Sequence, residues 1–190
     1  MAQPRIIRRL LDDHAHFYRI FGVLENQVAL LAADGEGPDF RLLEDVIEYI
    51  IEYPDAVHHP LEDRLLAAVV EKGVDGHIEE LILANRRQHS EISERTKKLH
   101  TDIQHVLIGA VIPSEQLKTH IDEYIELQRR HLVVEERELF PLAERLLEAD
   151  DWKFLEDESL LRQDPLFEHT LERFSDLYRY IVDQDQATGK

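Results

Sequence analysis

Four long stretches of this sequence repeat apolar residues at the three-and-four spacing of an α-helix, and no other feature constrains the fold as tightly. From Arg5 to about Ala32 the repeat runs through Ile7, Leu10, Leu11, Phe17, Phe21, Leu24, Val28 and Leu31. A second runs from Phe40 through Ile47, Ile50 and Ile51 towards Val70. A break or kink is expected in it between Pro54 and Pro60, because each proline removes a donor and crowds the carbonyl four residues back. Gly73 to Gly76 closes that helix. The third spans about His77 to Ile108, with Ile78, Leu81, Ile82, Ile92, Leu99, Ile103 and Val106 on its buried side. The fourth spans Ser114 to Ala149, with Leu117, Ile121, Tyr124, Leu127, Leu139 and Leu142 in register and a kink expected at Pro141. With 7 Gly and 7 Pro in 190 residues, a loop-rich or all-β design is disfavoured.

Four long helices with short connections pack most simply as an all-α, up-down-up-down four-helix bundle. The bundle core is expected over about 5–149. A C-terminal helical extension over about 152–183 adds a short segment, a turn at Asp164–Pro165 and a final amphipathic helix laid across one end or side. Residues 1–183 read as one domain and 184–190 as a disordered tail. A net charge of −18 leaves no basic stripe for a phosphate backbone, which argues against nucleic acid and makes cations the natural partners. There are no cysteines, so disulfides, thiolate-held clusters and thiol catalysis are excluded. Charge interrupts every apolar stretch, and the N-terminus meets Asp12 and Asp13 before a signal-like run can form, so a cytoplasmic protein without a membrane span is expected. No GxSxG, Walker-type loop or GxGxxG is present to suggest hydrolase or nucleotide chemistry.

Eleven histidines remain, and several fall in a pattern. His58 and Glu62, and again His131 and Glu135, are four apart on their helices, so imidazole and carboxylate share a face. An isolated pair of this kind is usually a surface ion pair; two matched pairs suggest a grip on metal. His14 lies on the Leu10, Phe17 and Phe21 stripe, and His89 on that of Ile82, Ile92 and Leu99, so both should point inward. The separations from His14 to His58 and from His89 to His131 are nearly equal, as in two helical hairpins with equivalent ligands. Four imidazoles and two carboxylates suit non-haem iron, with bridging carboxylates setting two ions roughly 3.5–4 Å apart and leaving positions for small ligands. His16 should face elsewhere. His59 could pair with Asp63; a solvated or capping role is favoured, and a place behind the ligands or as a substitute ligand stays open. His100, His120 and Glu25 fall about three turns from the main set, which suits a water-filled bundle end or a layer guiding iron or protons inward.

The segments DDHAHF, HHPLED, RRQHSE and HLVVEERELFP together resemble the signature of the hemerythrin-like, or HHE cation-binding, family over roughly residues 5–147. The later DPLFEHTLERF is similar to the extra C-terminal helix of some bacterial members. The resemblance implies ligands His14, His58, Glu62, His89, His131 and Glu135, with the glutamates and an oxo or hydroxo group bridging two iron ions. Oxygen-carrying members have a second helix-three histidine where this chain has Asn85, and a carboxylate where it has Glu136. That departure points away from reversible oxygen carriage and towards binding of, or reaction with, O₂, nitric oxide or peroxide in stress response or sensing. Sequestration of iron or another divalent metal without turnover is the alternative, and a metal-free interaction module a third. Enzymatic turnover, a homodimer and an unidentified protein partner all stay open.

Overall fold

The computed structural model describes residues 3–31, 37–156 and 162–188, and every regular element among them is helical. Helix α1 spans Arg5–Leu31, α2 Phe40–Glu52, α3 His59–Glu71, α4 Gly76–Leu107, α5 Ser114–Val134, α6 Phe140–Leu146, α7 Ala149–Leu155 and α8 Ser175–Thr188. Two wider π turns, Pro54–His58 and Glu135–Leu139, join α2 to α3 and α5 to α6, so each pair runs on as one long, irregular helix.

Local chemistry sets these boundaries. Asp39 caps α2 and Asp75 caps α4, each accepting from two backbone N–H groups of the first turn. Gly73 at φ 77° and Gly109 at φ 91° end α3 and α4 in the left-handed conformation that glycine takes without a Cβ penalty. The break expected between Pro54 and Pro60 is the first π turn, and the kink expected at Pro141 is the second. Each turn ends one residue before a position preceding proline, where an ordinary α-helical turn would press the ring on the carbonyl four residues back.

Helix α1 packs on α2 and α5, and α4 packs on the same two, which closes the bundle around one core. Two apolar clusters fill it. One joins the later half of α1, with Phe21 and Leu24, to α2, the later half of α4 and the early turns of α5. The other joins Ile6, Ile7 and Leu10 to Leu65, Leu66, Ile82 and the Leu139–Leu147 stretch. Early, late, early and late segments thus meet at one end, the order of helices that alternate in direction.

Helix four was expected to continue to Ala149, yet Leu147 is extended at ψ 139° and Glu148 and Asp151 form a reciprocal cap that starts α7. The last helix continues to Thr188, past the expected start of a disordered tail at 184: no Gly or Pro intervenes, and Asp185 pairs with Arg19. Helix α8 lies against α1 and α2. The turn at Asp164–Pro165 forms as expected, with Asp164 Oδ1 accepting from Leu166 N at 2.8 Å and Phe167 N at 3.0 Å. Its other oxygen accepts from the buried Tyr49 hydroxyl at 2.9 Å. Tyr49→Phe is expected to lower unfolding stability by about 1.5–3 kcal/mol, the range for a hydrogen bond to a charged group. An unchanged urea midpoint would show that this bond does not fasten the C-terminal segment.

Candidate metal centre

All six residues expected to act as ligands come together between the two apolar clusters, and each is buried. His14 comes from α1, His58 from the first π turn, Glu62 from α3, His89 from α4, His131 from α5 and Glu135 from the second π turn. Their arrangement is reciprocal. Glu62 Oε1 lies 3.2 Å from His58 Nε2 and 3.5 Å from His14 Nε2, while its Oε2 lies 3.4 Å from His89 Nε2. Glu135 Oε1 lies 3.0 Å from His131 Nε2 and 3.4 Å from His89 Nε2, while its Oε2 lies 3.5 Å from His14 Nε2. Each carboxylate therefore turns one oxygen to the His14 and His58 pair and the other to the His89 and His131 pair.

Most of these inward atoms lack a hydrogen bond of good geometry: His14, His58 and His131 Nε2, both oxygens of Glu62, and Oε2 of Glu135. Leaving a buried polar group unsatisfied costs about 1–3 kcal/mol, more when it is charged. Six such atoms aimed at one space are the signature of a donor set built for cations, and nitrogen with hard oxygen fits a first-row transition metal.

The sequence model of the hemerythrin HHE cation-binding domain matches residues 5–143. The chain belongs to that family. Comparison with curated proteins and with solved structures returned no match. The family is one of cation-binding helical domains, and the buried His and Glu cluster fits a metal site. No helix among the described residues is long and apolar enough to cross a membrane.

The outer ring nitrogens of this HHE domain show what the sequence left unread. His14 Nδ1 meets Glu136 Oε1 at 3.0 Å, His58 Nδ1 meets Asp13 Oδ2 at 3.0 Å, His89 Nδ1 meets Asp63 Oδ1 at 3.2 Å, and His131 Nδ1 meets Gln88 Oε1 at 3.2 Å. An oxygen behind Nδ1 fixes the tautomer that presents Nε2 inward and raises the basicity of the ring. Asp13 is steadied in turn by Arg9 and by the Tyr53 hydroxyl, which donates to its Oδ2 at 3.0 Å. Asn85 donates to Glu135 Oε1 at 2.9 Å.

Several expectations change. Asp63 serves His89 rather than His59, because α3 turns it towards α4. His59 is not solvated: it is 5% exposed, and its ligand atom lies within 4.8 Å of those of Glu62, His89 and His131. His16 does face elsewhere, half-buried and stacked on Phe167. Of the residues three turns away, Glu25 is exposed and paired with Arg129 and His120 pairs with Asp102 near the surface, while His100 keeps a buried Nε2 without a hydrogen-bond partner.

Without a cation, protons balance the charges. Burial works against the anion of Glu62, yet His58, His14 and His89 hold it well below the usual carboxylate range. Burial and Glu62 likewise oppose the Glu135 anion, but His131 and His89 bring its carboxyl down to about 2. Burial opposes the charge on His58, and Glu62 and Asp13 still lift it to about 10; His89 is lifted against burial to about 11 by Asp63, Glu135 and Glu62. His59 moves the other way, because burial and the charge of His89 hold it well below the ordinary imidazole value.

A histidine raised by folding adds stability in full below its unfolded value, near 6.5, and loses that contribution as pH climbs through its folded value. The chelator-treated protein is therefore expected to show a falling thermal midpoint from about pH 7 to about pH 11, as His58 and then His89 lose their protons, with a shallower fall for His58→Gln. Equal slopes for the two proteins would remove His58 from this balance.

Proposed function

We propose that this HHE domain holds two iron ions and binds or reacts with O₂, nitric oxide or peroxide in a cytoplasmic stress-response or sensing role. The supporting observation is the reciprocal aim of Glu62 and Glu135. With one oxygen to each histidine pair, both carboxylates suit bridging, His14 and His58 would hold one ion, and His89 and His131 the other. Iron in such a nitrogen and oxygen environment supplies redox chemistry and open positions for a small ligand.

The protein's own part is to orient and to shield. Asp13, Asp63, Glu136 and Gln88 fix the four rings. Phe17 meets His58 edge-on at 4.7 Å and Phe140 lies 5.4 Å from His14, so this side of the centre is walled by aromatic rings. The opposite side opens: a cavity of about 320 Å³, bordered by Asp55, His59, Asp63 and His89, suits the approach of a molecule the size of peroxide.

Protein grown with iron is expected to carry about two irons per chain, with charge-transfer bands that shift when the reduced sample meets air, azide or peroxide. Iron without any spectral response would favour sequestration, and no iron, or zinc alone, would overturn the reading. Glu62→Ala should empty both positions rather than one, read as bound iron per chain, because each of its oxygens faces a different histidine pair.

A further inference from the structure

The four histidines assigned above share one construction, with Nε2 turned towards Glu62 or Glu135 and an oxygen behind Nδ1. A fifth histidine is seated alike. His59 has the carboxylate of Asp55, one helical turn earlier, at 3.4 Å from Nδ1, a looser approach than in the other four. Asp55 is itself 92% buried by side chain, being 8% exposed, and neither of its oxygens has a hydrogen bond of good geometry. The His59 ring lies parallel to His89 with centroids 4.5 Å apart and meets His131 edge-on at 5.7 Å.

A histidine kept only for packing needs no carboxylate drawn into the interior behind it, and burying that carboxylate is costly. The His59 ring makes no hydrogen bond of good geometry to another described residue, its approach to Asp55 being the looser one of 3.4 Å. Its ligand atom instead falls within 4.8 Å of those of Glu62, His89 and His131.

We infer that His59 is a fifth imidazole ligand, joining His89 and His131 on one ion of the pair, so that the two ions are held unequally. The inference rests on the two-cation reading above. The ion at His14 and His58 has two imidazoles and the other has three. Asp55 is a positioning residue that aims the third.

Cobalt(II) alone serves as the probe, titrated into the metal-free protein and followed by absorption and by metal bound per chain after dialysis. The wild type is expected to hold two cobalt ions. His59→Gly should keep one of them and bind the second at least about tenfold more weakly, since even loss of an outer partner of a ligand costs 10–100-fold. Added imidazole, entering by the cavity at His59, should restore the second ion and its spectrum, which a purely structural gap would not do. Circular dichroism checks folding. Should His59→Gly fail to fold, His59→Gln keeps the volume without an imidazole and carries the same test. Two ions bound by the folded variant with wild-type affinity and spectrum would overturn the role of His59 and leave the two-cation reading standing. A wild type that binds no cobalt would overturn both.

Discussion

Two carboxylates with no exposed surface, facing four inward imidazole nitrogens, are the constraint on which this bundle depends. An isolated buried carboxylate would rather be neutral than charged, so Glu62 and Glu135 keep their charge only because positive groups surround them. Protons on the histidines can meet that requirement, and so can metal ions; apolar packing cannot. The layer therefore divides the core into two apolar clusters, each of which packs as an ordinary bundle interior. All four strokes of the bundle contribute to it, so displacement of any one disturbs the charge balance of the rest.

The six inward residues were legible because an α-helix converts spacing into direction. Residues four apart share a face, and His14 and His89 fall on stripes that the apolar positions already define. The oxygens behind the rings were not legible. Asp13 adjoins His14 in sequence but serves His58, and Glu136 adjoins Glu135 but serves His14, pairings set by packing between helices rather than along one. The burial of His59, favoured as solvated or capping, was missed for a related reason. On a regular helix the neighbour of an inward residue is turned about 100° away, whereas the π turn that ends at His58 has more residues per turn and a smaller rotation between them. Two prolines, Pro60 and Pro141, signalled irregularity at both places; that the irregularity would widen the turn rather than break it was beyond the sequence pattern.

Each π turn also carries a proposed ligand, His58 at the end of the first and Glu135 at the start of the second. A widened turn shifts the residues after it relative to those before it, so the helix can aim ligands at the centre and still present an apolar stripe on either side. Leu61, Leu65 and Leu66 beyond the first turn, and Leu139 and Phe140 at the end of the second, pack into the same cluster. The strain that proline would impose on a regular helix is thereby spent where a change of register is useful.

The C-terminal segment lies past residue 143, where the family match ends, yet it reaches the support of the centre. Arg9 donates to the carbonyl of Arg162 at 3.1 Å and pairs with Glu168, and the same guanidinium holds Asp13, the carboxylate behind His58. Tyr53 closes the link by donating to Asp13 while stacking on Tyr49, whose hydroxyl donates to Asp164. Asp13 would otherwise sit buried between α1 and the first π turn with only an imidazole and the Tyr53 hydroxyl to answer its charge. The extension keeps Arg9 over it, so the basicity of His58 depends on residues more than a hundred positions away, and the segment is part of the centre's electrostatics as well as of the fold.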